Sequence, residues 1–307
     1  MKRPAPGWVL AASLLGISFA GPLTKLSNAE PLAIAAWRLC FSLVIVGAAL
    51  LLTGQWRDWE RLTTKDAALA AASGIALALH FWAWIASIHL TTIAASVTLV
   101  SLQPAVIVGI SALFLRESPT GRQLAGIVVS LIGAMVIAAP DWGGNGSPVV
   151  GNAMFGNAML GNFLAASAAV TAAIYYTIGR HLRARYGIWA YVGLAYTACA
   201  ATLLIAAAVT GTVLTPQPPR ELAIFAGLAL GPMLLGHTGM NWALKYLPAY
   251  VVNLTVLGEP VGATLLGALI PAIAQVPSMI TIAGGVVVLA GVIVAVTGRP
   301  RVESAQT

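Results

Sequence analysis

Apolar runs of roughly 16 to 23 residues, about the length a helix needs to cross a ~30 Å hydrocarbon core, recur along the chain with short polar breaks between them. Ten are legible. Five lie near Trp8–Leu23, Leu32–Leu52, Ala67–Ile88, Ile93–Leu115 and Leu124–Ala139, and five near Leu160–Gly179, Ile188–Val209, Leu222–Leu244, Tyr250–Ile270 and Met279–Val296. No barrel-like alternation interrupts them, and lipid offers the backbone no hydrogen-bond partner, so each run is expected to be a helix. Very short breaks make neighbours antiparallel. The pattern predicts an all-α integral membrane protein with ten transmembrane helices.

The pattern also says nearly the same thing twice. A shift of 157 residues lays His237 on His80, Ala243 on Ala86, Leu247 on Leu90 and Thr255 on Thr98, and one residue of slippage brings Glu259-Pro260 onto Gln103-Pro104. Pro119, Gly126 and Gly133 are echoed by Pro277, Gly284 and Gly291 at the same spacing of seven. Five helices per half is an odd number, so the second half should enter the bilayer from the opposite side, as two inverted five-helix repeats. The expected domains are a first repeat over 1–140, a Gly/Asn-rich outer linker over 141–158, a second repeat over 159–298 and a cytoplasmic tail over 299–307. The first span, after Lys2 and Arg3, also fits a signal peptide with Ser18-Phe19-Ala20 as a cleavage site. Its removal would leave the first repeat one helix short of the second.

Composition agrees with a bilayer as solvent. Of 307 residues 59% are hydrophobic and 8% charged, with a mean hydropathy of +0.89, where soluble domains carry about a quarter charged residues. The net charge of +7 is scattered singly between apolar runs, which argues against a nucleic-acid partner. With the N-terminus inside, 13 of the 16 Lys and Arg fall on the inner side, leaving Lys25, Arg38 and Arg220 on the other. The positive-inside rule then puts both termini in the cytoplasm of a multi-pass cell-membrane protein, of the bacterial inner-membrane kind. Cys40 and Cys199 lie in apolar runs as packing residues, with neither a disulfide framework nor a metal site expected.

Several motifs resemble the EamA-type members of the drug/metabolite transporter superfamily. Gly16, Ser18, Lys25, Pro31-Leu32 and Arg38 are similar to that family's first helix pair, and Leu113-Phe114-Leu115-Arg116-Glu117 with Pro119 and Gly126 to its fourth-to-fifth junction. Ala243-Leu244-Lys245-Tyr246-Leu247-Pro248-Ala249 with Glu259-Pro260 resembles its eighth-to-ninth passage, and Ala172-Ala173-Ile174-Tyr175-Tyr176 with Arg180 its sixth helix. The chain departs at Gln103, where the first repeat often has Glu, and at Ala274-Gln275-Val276-Pro277, which lacks an acid. Two symmetric carboxylates are therefore not expected. The resemblance implies ten helices, a central cavity between repeats, and export or exchange of small metabolites, with YddG-type exporters of aromatic and neutral amino acids as the nearest kind.

Polar residues at membrane depth each cost energy and so need a reason. Ser73, Leu77, His80, Trp84 and Ser87 share one helical face, whose mixture of hydroxyls, imidazole and indole suits a wet cavity. Glu259 is the carboxylate well inside a span. Pro260 and Pro104 should kink their helices and partly free the carbonyls of Val256 and Val100. Mid-span Trp82, Trp84 and Tyr175 are candidates for stacking on an organic solute, and Ser101, Gln103, His80 and Asn253 for hydrogen-bonding it, with Glu259. His237, with Asn241 one turn on, is read as packing or gating. Lys25 and Arg38, at the outer edge, either attract an anionic group or snorkel.

No Gly-Lys-Ser/Thr phosphate loop occurs, so ATP cannot drive transport from within this chain and no cofactor is expected. The expected function is a secondary transporter, working as a monomer, that exports or exchanges amino acids by alternating access. His80 and Glu259 are the candidates for proton coupling. Other small solutes (nucleosides, amines, drugs) are the alternative. A membrane enzyme would need a cluster of acids, histidines or metal ligands, and a channel would need rings of charge or carbonyls; neither pattern is present.

Overall fold

The computed structural model describes residues 5–91, 93–110, 119–142, 155–274 and 279–296, and among the described residues the chain is helical with no strand. Seven helices are long and apolar enough to cross a membrane: α1 (Pro6–Leu26), α2 (Pro31–Leu52), α3 (Thr64–Leu90), then Met159–Arg183, Ile188–Thr210, Pro219–Ala243 and Ala249–Leu269. Shorter apolar stretches are Ser96–Val108, Gly121–Gly133 and Ile282–Gly291. In chain order the remaining helices are α4 (Ile93–Val100), α5 (Gln103–Ile110), α6 (Gly121–Trp142), α7 (Phe155–Arg183), α8 (Ile188–Thr210), α9 (Pro219–Ala243), α10 (Ala249–Leu269) and α11 (Met279–Val296). The tail 299–307, the junctions 111–118 and 275–278, and residues 143–154 of the linker lie outside the described residues.

Helix ends follow local chemistry. Pro6, Pro31 and Pro219 sit in first turns, where a missing N–H costs nothing. The Thr63 hydroxyl caps α3 by accepting the Asp66 N–H at 3.1 Å. Gly54 and Gly211, at φ +67° and +72°, close α2 and α8 in the left-handed conformation that glycine adopts without strain. Around the perimeter, Val44, Leu52, Val209, Leu269 and Met279 are exposed, as a bilayer-facing belt requires.

The helices approach closely where glycines sit. A Cβ on Gly74 of α3 would lie 2.3 Å from the Ala195 carbonyl of α8. On α6, a Cβ at Gly133 would meet the Gly284 carbonyl at 2.8 Å. On the antiparallel α11, a Cβ at Gly291 would meet the Gly126 carbonyl at 2.7 Å. The glycines spaced by seven are thus one seam, and exchanging the two helices maps the first contact onto the second.

Several helices are interrupted. α4 stops at Val100, and a turn at Ser101-Leu102 precedes α5, which carries Pro104 in its first turn. In α10 the residues Thr255–Gly258 tighten into a 3₁₀ turn before Glu259 and Pro260 resume the α-helix. The Val256 carbonyl is not left free as the sequence led one to expect. The Glu259 N–H, one residue ahead of the proline, reaches back to it within the tightened turn. α9 contains a π-helical stretch, Ala229–Thr238, around Pro232, and the Thr238 hydroxyl donates to the Met233 carbonyl at 3.2 Å. Gly231 and Gly236 of this wide turn face Gly16, and the Ser13 hydroxyl donates to the Leu235 carbonyl at 3.1 Å, so α1 is packed into the bundle.

Polar ties close both ends. At one end Arg185 donates to Asp66 at 2.5 Å, the Tyr186 hydroxyl to the same carboxylate at 2.7 Å, and the Gly187 N–H to Asp58 at 2.8 Å. At the other, Ser27 donates to Glu221 at 2.5 Å, and Arg220 bonds both Glu221 and the Leu26 carbonyl.

Candidate functional site

Between these ties lies a small cavity of about 30 Å³. Its wall is drawn from both halves of the chain: Ile17 and Ala20 of α1, Arg38 of α2, His80, Phe81 and Trp84 of α3, Val100, Gln103, Tyr176 of α7, His237 and Met240 of α9, Val256 and Glu259. Each polar position follows from a feature of its helix. The π turn rotates His237 inward, and the broken helices α4/α5 and α10 present Gln103 and Glu259 at the start of their resumed segments.

The wall is tightly specified. His80 Nδ1 lies 2.9 Å from the Ala168 carbonyl, a partner that can only accept, so Nδ1 carries the proton and Nε2 is left as an acceptor. His237 Nδ1 lies 3.0 Å from the Tyr176 hydroxyl. The two histidines, equivalent under the 157-residue shift, meet with ring centroids 6.0 Å apart, and Phe81 stands edge-on to His237 at 5.2 Å. The Gln103 amide donates to Asn253 Oδ1. Asn253 in turn donates to the Ala249 carbonyl at 2.8 Å. The Arg38 guanidinium lies 4.1 Å from the Phe81 ring centre.

Of the residues singled out in the sequence, His80, Trp84, Gln103, Glu259 and His237 come together at the cavity. Others stand behind the wall. Tyr175 is fully buried and its hydroxyl accepts from Asn241 at 2.5 Å, which also donates to the His237 carbonyl. Asn253 holds Gln103, and the Ser101 hydroxyl is spent on the Val97 carbonyl one turn back. Pro104 and Pro260 stand at the helix breaks beside Gln103 and Glu259. Lys25 caps the end of α3 by donating to the Ile88 carbonyl at 3.2 Å.

Trp82 requires a correction. It is 40% exposed and absent from the wall, because two residues past His80 is about 200° of helical rotation, which turns it outward. Arg38 requires the opposite correction, being 1% exposed and inside the bundle rather than at its outer edge. It stands eight residues into α2, about 11 Å along the axis at 1.5 Å per residue, a depth the sequence already contained. Tyr176, next to Tyr175, was not singled out and lines the cavity. Among the described residues no group of three His, Cys, Asp or Glu could hold a metal ion.

A family model for EamA-like transporters matches residues 6–139 and again residues 159–297. The chain belongs to the EamA-like transporter family. That places it in the drug/metabolite transporter superfamily and makes it a multi-pass membrane protein that handles small solutes. An uncharacterized transporter of Archaeoglobus fulgidus is similar to this EamA-like chain at 24% identity over 308 residues, covering 95% of this chain and 99% of that one. A protein of known crystal structure, 20% identical, superposes with a TM-score of 0.75 over 96% of this chain and 97% of its own, and so shares the fold.

Proposed function

We propose that this EamA-like chain is a secondary transporter that exports or exchanges amino acids, aromatic and neutral ones above all, by alternating access around the central cavity. The observation that carries the reading is the His80–His237 pair. Two residues equivalent in sequence, one from each half, meet edge to face in the wall of the cavity, with ring centroids 6.0 Å apart. A ligand site on the axis relating two similar halves is what rocking of one half against the other can expose to each side in turn.

The finer architecture belongs to the same proposal. Ten spans, with α4 and α5 forming one broken span, would make two inverted repeats over 1–140 and 159–298, both termini cytoplasmic, in a bacterial inner membrane. Support comes from the two family-model matches and from the reciprocal glycine seam between α6 and α11. A wall of Trp84, Phe81 and Tyr176 offers aromatic faces to an organic side chain, and Gln103, His80 and Glu259 offer polar contacts. The chain functions as a monomer on this reading, since the cavity is complete within one copy.

Counterflow tests it. Liposomes holding the purified protein and loaded with an unlabelled amino acid should take up the labelled one saturably. No flux of any amino acid, nucleoside or amine removes the transport reading.

His80→Ala should lower counterflow by roughly tenfold or more while leaving expression and thermal midpoint nearly unchanged, the Ala168 carbonyl losing one hydrogen bond of about 1 kcal/mol. Wild-type kinetics in that variant would take His80 out of the solute path. If Glu259 handles a proton, Glu259→Gln should flatten the pH dependence of counterflow; a pH profile identical to wild type would make Glu259 a structural partner.

A further inference from the structure

Among the described residues, the buried side-chain polar atoms of the cavity wall that lack a hydrogen-bond partner are all donors: Nε and Nη1 of Arg38, and Nε1 of Trp84. The remaining Arg38 nitrogen, Nη2, has only the Met233 sulfur at 3.8 Å. A fully buried guanidinium with two idle N–H edges and no carboxylate on it is costly, because removal from water is uncompensated. Native proteins leave few such groups unsatisfied, and those they leave call for a partner.

We infer that Arg38 is the anchor for the solute's carboxylate, with the Trp84 indole N–H as a second donor, so the cavity selects carboxylate-bearing solutes over their amides, amines and uncharged analogues. This rests on the cavity being the solute site. Arginine suits the role because its planar fork matches a carboxylate through paired N–H bonds, and its charge persists at every physiological pH. Phe81 lies against the guanidinium face, which orients the fork and leaves its edges free. Glu259, in the same wall, provides the opposite charge for a solute ammonium. It also disfavours a phosphate dianion, which would bring a second negative charge toward a single guanidinium.

The inference predicts an unusual pairing of effects. Arg38→Gln removes a buried charge whose idle N–H groups no carboxylate accepts from, Glu259 lying in the same wall without a hydrogen bond to it, so the solute-free protein should keep most of its thermal midpoint while solute recognition is lost. A purely structural arginine would behave in the opposite way, with a lower midpoint and unchanged selectivity.

The test uses full-length protein in liposomes and four probes: L-phenylalanine, L-phenylalaninamide, phenethylamine and uridine. Wild type should exchange L-phenylalanine and discriminate against the other three by roughly 100-fold, the scale of a lost bidentate charge-assisted pair. Arg38→Gln should abolish that preference, Arg38→Lys should restore part of it, and Trp84→Phe, which keeps the ring and deletes the N–H, should weaken L-phenylalanine exchange several-fold. Equal exchange of acid and amine by wild type, or selectivity unchanged in Arg38→Gln, overturns the inference and leaves the transport reading standing. Absence of flux for all four probes overturns the inference, and the transport reading falls with it when no other amino acid, nucleoside or amine is carried either.

Discussion

Leucine at Gly133 or Gly291 should abolish recovery of monodisperse protein, and alanine at either position should lower the thermal midpoint by several degrees. At Gly291 an added Cβ would sit 2.5 Å from the Ser130 N and 2.7 Å from the Gly126 carbonyl, and at Gly133 it would sit 2.6 Å from the Val288 N. These are backbone atoms and cannot swing aside as a side-chain tip can, so α6 and α11 must separate. Overpacking costs about 1–3 kcal/mol even where a core can relax. Here the separation also breaks the Ser130 hydroxyl bond to the Val288 carbonyl at 3.2 Å. The control is Gly47, mid-helix in α2, where an added Cβ meets nothing within 4 Å. Gly47→Ala should therefore stabilise by about 0.5–1 kcal/mol through helix propensity alone. Size-exclusion profiles and melting curves in detergent check the set. Equal behaviour of Gly47→Ala and Gly291→Ala would mean that the seam is not tight.

Asp66→Ala should be the most damaging change at the bundle ends, costing roughly 2–4 kcal/mol. Asp66 is 1% exposed, so its carboxylate has no water to fall back on. Arg185 remains 48% exposed in its side chain and can turn to solvent, so the ion pair itself contributes little. The larger loss is at Tyr186, a buried ring whose hydroxyl keeps only a long 3.4 Å contact to the Arg61 carbonyl. Asp66→Asn, which retains an acceptor for the tyrosine, should recover about half of the loss, and Arg185→Gln should cost less than Asp66→Ala. Thermal midpoints of the three variants decide it. Arg185→Gln matching Asp66→Ala would shift the weight to the ion pair.

Hydropathy made the helical class legible because a bilayer leaves the backbone no other solution. It could not read helix rotation. Trp82 and Trp84 look alike as mid-span indoles, yet the turn between them puts one on the perimeter and the other in the cavity. Tyr175 and Tyr176 are mid-span rings alike, and it is Tyr176 that lines the cavity. The Ser167 and Thr171 hydroxyls, two turns and one turn before Tyr175, bond the Phe163 and Ala168 carbonyls of their own helix and mark no wet face. The 157-residue shift carried more information, since repeated residues tend to meet near a symmetry axis, and it pointed to His80, His237, Gln103 and Glu259. Arg38 has no counterpart under that shift, and hydropathy sets it at the outer edge, where an arginine either attracts an anionic group or snorkels; its depth in α2 argues otherwise. The π turn of α9 was written only as Gly231-Pro232 with Gly236, a pattern that an ordinary proline kink would share.

The central claim is that one cavity opens to each side of the membrane in turn. A cysteine at Val100, a small apolar position in the wall, tests it in a background where Cys40 and Cys199 are replaced. A membrane-impermeant maleimide applied to intact cells, and separately to inside-out vesicles, should label Val100→Cys from both faces, and a transported amino acid should slow the labelling from each. Labelling from one face alone, unchanged by any solute, contradicts the account.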